Sequence, residues 1–304
     1  MEKIKNVCFN NWCCGSHMRF EGSLSETLTR SVNMGMCSVQ FFMGNPKNVH
    51  SRTEISESDI KSCHQIIKNF PINVFSHFPY CVNLAGSIST KCLAWEEKNE
   101  KTDKEAQLKC ENNIKSSLRS IEYELEVLAN FKTKTGVVIH PGNWFDRKQG
   151  LNAISKSINK IKFPPNSTLL LENSAGQGNS LATTLSELKQ IYDGLNENQK
   201  SHVGICIDTC HLFAYGDYDI RKKSEVDRFM SDFDKLFTRD KLKLIHLNDS
   251  TTDFKSRKDN HALIGEGYIW KNNLEPLIYF LNCVKGIPLV LETIPDDIFT
   301  IADL

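Results

Sequence analysis

The segment Val203-Gly204-Ile205-Cys206-Ile207-Asp208-Thr209-Cys210-His211 decides the fold that the sequence predicts. It opens with a continuous apolar run, which is typical of a strand buried on both faces of a parallel sheet. Seven further short apolar runs occur along the chain, so the sequence offers eight candidate strands. Besides Val203–Asp208 they are Lys5–Phe9, Cys37–Phe42, Ile72–His77, Gly136–His140, Thr168–Glu172, Lys243–Leu247 and Ile287–Glu292.

Helical patterns separate these strands. Apolar residues recur at helical spacing, for example between Leu24 and Val32 and between Leu118 and Leu128. Eight strands alternating with helices in 304 residues predict an α/β protein of the (β/α)8 TIM barrel class, folded as a single domain. A doubly wound open sheet is the alternative, but Asn10–Gly15 is not the glycine-rich phosphate loop expected after its first strand. The polar stretch 86–109 is predicted to be an exposed, charged insertion, either flexible or extending the next helix.

Charge and cysteine content exclude some classes of protein. Lys plus Arg and Asp plus Glu both number 37, so the chain is formally neutral and carries no overall nucleic-acid signature. Eleven cysteines without a Cys-x-x-Cys pair favour reduced thiols, and the polar N-terminus does not predict secretion. No stretch approaches the ~18 apolar residues of a membrane helix. We therefore expect an intracellular protein, in the cytoplasm or wherever the genome is replicated, with no membrane partner.

Chemically functional side chains recur where the predicted strands end. In a barrel these ends meet on one face, where active sites lie. Imidazoles and carboxylates on one surface suit zinc or manganese, and nine such ligands imply two or three ions. A single His at a strand end is more often a hydrogen-bonded polar residue, but nine unpaired polar groups in one mouth would be costly. The nine are His77, His140, Glu172, Asp208, His211, His246, Asp259, His261 and Glu292; His17, His50, His64 and His202 fall outside the set.

Several motifs resemble those of endonuclease IV, a family of zinc-dependent apurinic/apyrimidinic endonucleases of base-excision repair. They are Leu170–Gly178, Cys206–His211, Ile245–Asp249, Asp259–Gly267, His140–Gly142 and Leu291–Thr293. The resemblance implies a (β/α)8 barrel of the xylose-isomerase-like superfamily with three Zn²⁺ ions, for which Mn²⁺ is a substitute. His77, His140 and Glu172 would hold the first ion. Glu172 would bridge to a second, completed by Asp208, His246 and Glu292, and His211, Asp259 and His261 would hold the third.

The same resemblance implies an activity and a partner. The family hydrolyses the phosphodiester 5′ to an abasic site in double-stranded DNA, leaving a 3′-hydroxyl and a 5′-deoxyribose phosphate, and also removes blocked 3′ ends. Glu172 is the expected catalytic residue, because it would bridge two ions and orient or deprotonate water. The chain is expected to act as a monomer.

Residues expected to contact DNA depart from the family pattern. Tyr80 matches a tyrosine that wedges into DNA, but Cys81 follows it where an apolar residue is usual. In the loop after the second strand, Lys47 or the Asn45-Pro46 kink must replace the arginine that enters the base stack. Arg257 and Lys258, which precede Asp259, are expected to contact phosphates. The usual Gly-x-His of the first strand is expected to be missing, because Val7-Cys8-Phe9 stands there.

Two rival functions are compatible with parts of this pattern. A sugar isomerase or epimerase on the same barrel would need only Glu172, Asp208, His246 and Glu292, which leaves His77, His140, His211 and Asp259-x-His261 without a role. A non-catalytic protein that binds damaged DNA would be expected to lose ligands, whereas the set is intact. The number of bound ions and metal-dependent nicking discriminate among the three.

Overall fold

Eight parallel strands close into a barrel in the structure, a computed structural model that describes residues 12–49, 51–86 and 100–304, with the backbone alone for 100–110. The strands of the chain are β1 (Cys14–His17), β2 (Ser38–Phe41), β3 (Asn73–His77), β4 (Thr135–Ile139), β5 (Leu169–Glu172), β6 (Val203–Asp208), β7 (Leu242–His246), β8 (Asp249–Ser250), β9 (His261–Ala262) and β10 (Leu289–Leu291). The barrel consists of β1 to β7 and β10, and β10 closes it by pairing with both β7 and β1. β8 and β9 form a separate antiparallel pair. The predicted (β/α)8 barrel is confirmed.

Helices connect the barrel strands on the outside. They are α1 (Leu24–Asn33), α2 (Glu57–Asn69), α3 (Glu100–Ala129), α4 (Arg147–Ile158), α5 (Leu185–Asp193), α6 (Glu197–His202), α7 (Thr209–Tyr215), α8 (Lys223–Leu236), α9 (Glu275–Cys283) and α10 (Ile298–Ala302). A capping box in the sequence explains why α1 begins at Leu24. Ser23 accepts a hydrogen bond from the Glu26 amide, and the Glu26 carboxylate accepts one from the Ser23 amide. Among the described residues, no helix is long and apolar enough to cross a membrane.

The first barrel strand is the one strand that the sequence analysis misplaced. Lys5–Phe9, the predicted first strand, lies outside the described residues, and Cys14–His17 occupies that position in the barrel. The other predicted strands match the observed ones to within about two residues at each end. Cys14–His17 is short and contains Gly and Ser, which have low strand propensity, so its pattern did not indicate a strand.

The predicted insertion is described only in part. Residues 87–99 lie outside the described residues, whereas Glu100 and the residues after it belong to α3, a helix of 30 residues. For the C-terminal part of the stretch 86–109, the expectation of a helix extension therefore holds.

A buried acid on α3 makes the stability of the barrel pH-dependent. Glu124 is 3 % exposed and accepts a hydrogen bond from Ser76 Oγ at 2.6 Å. Burial raises the pKa of Glu124 to about 7. The folded state therefore binds this proton more tightly than the unfolded chain does. The resulting stabilisation is complete below the ordinary pKa of a glutamate and is lost as the pH rises through about 7.

Glu124→Gln is therefore expected to stabilise the protein at pH 8, by up to roughly 3 kcal/mol, and to change little at pH 5. Glutamine keeps an acceptor for Ser76 and has no charge to bury. Urea unfolding at the two pH values measures the difference. Glu126→Gln, an exposed position on the same helix, is the matched control and should show no such pH dependence. Equal effects of Glu124→Gln at both pH values would contradict this role for Glu124.

Candidate metal centre

Six of the nine predicted ligands lie directly above an apolar layer inside the barrel. That layer consists of Phe75, Val138, Leu170, Cys206, Leu244 and Val290. Two residues after each of these, the chain has a ligand type: His77, His140, Glu172, Asp208, His246 and Glu292. Because side chains alternate along a strand, residues i and i+2 share a face. The fold thus directs all six ligands into the carboxyl-terminal mouth of the barrel.

The remaining three ligand residues come from the segments that follow β6 and β8. His211 lies on α7, and the side chain of Asp208 caps this helix by accepting a hydrogen bond from the His211 amide at 2.8 Å. Asp208 therefore positions His211 as well as lining the mouth. His261 is held by β9, where it pairs with Ser250, and Asp259 precedes it on the same loop.

Glu172 lies at the centre of the cluster and has no exposed surface. Its Oε2 is 3.2 Å from His77 Nε2 and 3.5 Å from His140 Nε2. Its Oε1 is 3.0 Å from His246 Nδ1 and 3.4 Å from His211 Nδ1. The two oxygens of one carboxylate thus face different histidine pairs, and Glu172 belongs to two of the groups that could hold a metal ion.

Ligand atoms converge in groups that match the expected division into three sites. Within each group the candidate ligand atoms lie no more than 4.8 Å apart. The groups are His77, His140 and Glu172; Glu172, Asp208, His246 and Glu292; and His211, Asp259 and His261. A further grouping of Asp208, Cys210 and His261 also meets this distance, but burial and the neighbouring Asp208 raise the pKa of the Cys210 thiol, which disfavours the thiolate form.

Buried nitrogen atoms show that the third group fits a cation. His211 Nε2 and His261 Nε2 each lie 3.1 Å from Asp259 Oδ1. Both nitrogens are buried, and despite this short distance neither forms a hydrogen bond of normal geometry within the described structure. A buried polar atom without a partner is costly, whereas two imidazole nitrogens and a carboxylate oxygen aimed at one point suit a divalent metal.

The distribution of charge at the mouth of the barrel also favours metal binding. Although burial opposes it, Asp208 and Asp259 hold the pKa of His211 well above its usual value. His140 and His246 likewise hold the pKa of Glu172 well below the usual value despite its burial. Among the described residues that line the mouth, none is Lys or Arg. The carboxylates therefore have only imidazoles as positive partners, and metal ions would supply the missing charge.

The cluster forms the floor of an open cavity of about 840 Å³. Tyr80 and Phe42 line one side, and Asn143, Gln177 and Ser180 line another. A cavity of this size admits a small molecule or a short segment of a polymer.

Comparisons with known proteins agree with this geometry. Residues 28–302 match the family described as Xylose isomerase-like TIM barrel. The chain is 33 % identical over 286 residues to "Probable endonuclease 4" of Halothermothrix orenii, a match that covers 92 % of each protein. The chain belongs to the endonuclease 4 family. It is thus an enzyme of a nuclease family whose fold presents a cluster of candidate metal ligands.

Solved structures show how widely the fold of this endonuclease 4 family member is shared. Endonuclease IV from Thermus thermophilus superposes with a TM-score of 0.73 at 22 % identity, covering 94 % of this chain and 95 % of that one. D-psicose 3-epimerase, solved in the presence of D-fructose, superposes with a TM-score of 0.55 at 13 % identity, covering 92 % and 84 %. At these identities the likenesses establish the fold alone.

Amide side chains orient the ligands, and the sequence analysis missed them. Gln40 Nε2 donates to Glu292 Oε1 and Gln40 Oε1 accepts from His246 Nε2, both at 2.8 Å. This leaves His246 Nδ1 free to face Glu172. Asn248 acts similarly, donating to Asp208 Oδ2 at 2.6 Å and accepting from the Glu292 amide at 2.9 Å. The sequence contained one signal for this role of Gln40, because a glutamine stands inside the apolar run Cys37–Phe42.

Gln40→Leu is expected to weaken metal binding by about 10- to 100-fold, the usual effect of losing a residue that orients a metal ligand. Leucine fills similar volume but cannot accept the His246 proton, so the imidazole is no longer fixed. Competition with a chromogenic chelator measures the affinity. Gln149→Leu, at an exposed position on α4, is the control. An unchanged affinity in Gln40→Leu would show that His246 is oriented without it.

His17 lies in the site but was not predicted there, because the first strand was placed at Lys5–Phe9. Gly15-Ser16-His17 forms most of β1, so the Gly-x-His expected from the family is present and its predicted absence was wrong. His17 lines the cavity, shares a hydrogen bond with Gln40 Nε2 at 3.1 Å, and lies 4.5 Å from the Phe42 ring. Burial lowers the pKa of His17 to about 4, so the imidazole is neutral at physiological pH.

The structure brings together some of the residues expected to contact DNA. Tyr80 is 54 % exposed in the cavity wall, with its ring 5.1 Å from that of Phe42. Its amide donates to Pro46 O, which ties the loop of Asn45 and Lys47 to the same side of the mouth. Asn45 Oδ1 in turn accepts from the Lys47 amide at 2.8 Å. Tyr80 thus lines the cavity, whereas Asn45 and Lys47 lie next to it on the adjoining loop and are not among the described residues of the cavity wall.

Arg257 and Lys258 belong to a different loop, which follows β8. They precede Asp259, which lines the cavity, but neither is among the described residues of its wall. The Arg257 guanidinium instead lies 5.6 Å from the Tyr215 ring centre. A role in phosphate contact stays a prediction for both.

Proposed function

We propose that this protein is a DNA-repair endonuclease that hydrolyses the phosphodiester 5′ to an abasic site in double-stranded DNA. Its products are a 3′-hydroxyl and a 5′-deoxyribose phosphate, and trimming of blocked 3′ ends is an associated activity. The observation that supports this most is the convergence of nine ligand residues in three groups at the mouth of an endonuclease 4 barrel. A monomer needs no further chain to complete this site.

Three zinc ions, or manganese in their place, would occupy the groups. His77, His140 and Glu172 would hold the first; Glu172, Asp208, His246 and Glu292 the second; and His211, Asp259 and His261 the third. When bound, zinc would act as a Lewis acid that lowers the pKa of water to near neutral and neutralises charge on the phosphate.

The protein's own side chains orient the water and hold the candidate ligands for that chemistry. Glu172 is held ionised by the histidines around it, so either of its oxygens can accept a proton from water or fix its orientation. Gln40 and Asn248 hold the surrounding ligands in place. The apolar layer beneath excludes water from below, and the open cavity admits the sugar-phosphate backbone from above. The proposal needs no Ser or Cys nucleophile.

Tyr80→Ala is expected to weaken binding of an abasic duplex by about 5- to 150-fold, because aromatic stacking on a base is worth ~1–3 kcal/mol. The exposed ring lies beside the metal groups but contributes no ligand, so the metal content should not change. Fluorescence anisotropy with a labelled duplex measures the affinity. Phe70→Ala, which removes an exposed aromatic at the other end of the barrel, is the control. Equal affinities would leave Tyr80 as a packing residue against Phe42.

The direct test is incision of a labelled duplex that contains one abasic site. Metal-loaded protein should nick the strand at the 5′ side of the lesion, chelation should abolish nicking, and added zinc should restore it. The same duplex without the lesion should stay intact. Failure to nick with three ions bound would reject the proposal.

A further inference from the structure

Cys13 lies at the amino-terminal end of the barrel in a cluster of hydrogen-bond donors. Its sulfur accepts a hydrogen bond from Asn73 Nδ2 at 3.0 Å and lies 3.2 Å from Ser38 Oγ. Thr133 Oγ1 donates to Asn73 Oδ1, which turns the amide nitrogen of Asn73 towards the sulfur. The Cys13 residue is partly exposed.

A second cysteine adjoins the first. Cys37 immediately precedes β2, and its amide donates to Cys14 O at 2.9 Å, so the two chain segments are direct neighbours. The protonated Cys13 thiol donates to Cys37 O at 3.1 Å. The Cys13 thiolate instead accepts a hydrogen bond from the Cys37 thiol. By the strand register Cys37 lies opposite Cys14, one residue along from Cys13. With about 4.8 Å between strands and about 3.3 Å along a strand, the Cα atoms of Cys13 and Cys37 lie roughly 6 Å apart, which is within the span that a disulfide bridges.

The environment stabilises the thiolate of Cys13. The Cys37 thiol, together with Ser38, Asn73 and the charge of Lys134, lowers the pKa of Cys13 to about 7 against the opposing effect of burial. Thiolates are the reactive form of cysteine. Burial instead raises the pKa of Cys283, which is also partly exposed. Burial likewise raises the pKa of Cys14, Cys63, Cys206 and Cys210.

We propose that Cys13 and Cys37 form a peroxide-sensitive dithiol that oxidises to an intramolecular disulfide. The Cys13 thiolate attacks one oxygen of hydrogen peroxide; an S–O bond forms, the O–O bond breaks, and hydroxide leaves and takes up a proton to become water. Cys37 then attacks the Cys13 sulfur; the S–S bond forms, the S–O bond breaks, and the Cys37 proton leaves with hydroxide as a second water. Two thiols are oxidised, and one peroxide is reduced to two waters.

The position of the dithiol separates it from the metal centre. Cys13 and Cys37 precede β1 and β2, and Asn73 is the first residue of β3, whereas the ligands lie at the opposite ends of the strands. The apolar layer of Phe75, Val138 and their neighbours lies between. Oxidation should therefore crosslink the amino-terminal end of the barrel without releasing metal, and the inference does not depend on the proposed function.

The test uses the reduced, metal-loaded full chain treated with hydrogen peroxide. After remaining thiols are blocked, non-reducing peptide mapping by tandem mass spectrometry should find Cys13 joined to Cys37 before any other cysteine whose side chain the structure describes is modified. In parallel, iodoacetamide at pH 7 should alkylate Cys13 about tenfold faster than Cys283, with a rate that is half-maximal near pH 7. Metal content, measured on the same samples, should not change.

Single substitutions distinguish the role of Cys13, which reacts with peroxide, from that of Cys37, which completes the disulfide. In Cys37→Ser, Cys13 should stop at the sulfenic acid, which dimedone traps. Asn73→Leu should slow alkylation of Cys13, and Cys283→Ser should oxidise as the wild type does. The wild-type map decides the matter even if a variant fails to fold. If peroxide modifies the exposed Cys81 first and no bond joins Cys13 to Cys37, the inference is wrong. Metal loss in step with crosslinking would likewise overturn the separation from the ligand end.

Discussion

Glu172→Gln is expected to lower the rate of abasic-site incision by at least ~10³-fold. Glu172 faces four histidines through its two oxygens, at distances between 3.0 and 3.5 Å. Glutamine has the same shape but lacks the charge and one acceptor oxygen, so it cannot serve two ions. Metal stabilisation of a transition state is worth several kcal/mol, and each ~1.4 kcal/mol is tenfold in rate.

Metal content and folding must be measured together with that rate. Single-turnover incision gives the rate, elemental analysis the number of ions, and thermal unfolding the stability. Glu197→Gln, at an exposed position on α6, is the matched control and should behave as the wild type does. If Glu172→Gln carries a full set of ions and nicks at the wild-type rate, Glu172 is not the bridging ligand.

The convergence of the nine candidate ligands was predictable because their residue types are visible in the sequence and their position follows from strand periodicity. Each of six buried strands carries a His, Asp or Glu at its last residue or one residue beyond it, two positions after an interior apolar residue, as in Leu170 and Glu172. Packing alone seldom explains an ionisable side chain at the mouth of a barrel, so this pattern favours a functional role. The division into three groups was not predictable from spacing. It came from the resemblance, and the distances in the structure are consistent with it.

The residues that sequence reasoning missed are those whose chemistry is not distinctive. Gln40 and Asn248 hold the ligands, but an amide in an apolar run has no single explanation until its partners are known. His17 was missed for a different reason. Cys14–His17 has only four residues and includes Gly and Ser, so the more apolar Lys5–Phe9 took its place in the prediction. Closure of the barrel, a long-range constraint, selects the weaker strand.

His261→Ala is expected to separate the endonuclease from a sugar isomerase of the same fold. His261 lies on the two-residue strand β9, outside the barrel, with Nε2 3.1 Å from Asp259 Oδ1. Its loss should reduce the bound ions from three to two and leave the barrel folded, because the other groups are held by separate strand ends. Incision should fall by ~10²-fold or more, since charge on the leaving oxygen is then less well neutralised.

An isomerase would respond differently to the same substitution. Its metal site requires only Glu172, Asp208, His246 and Glu292, all of which His261→Ala leaves intact. Sugar isomerisation also expels no charged leaving oxygen, so the third group would have nothing to neutralise. His64→Ala, an exposed histidine that hydrogen-bonds Asn130 O on the outside of the barrel, is the control for both measurements. Normal nicking by His261→Ala with three ions retained would refute the three-metal arrangement. Sugar interconversion by a wild-type protein that leaves abasic DNA intact would refute the proposed activity, because the third group would then lie idle at the mouth of a sugar-binding barrel.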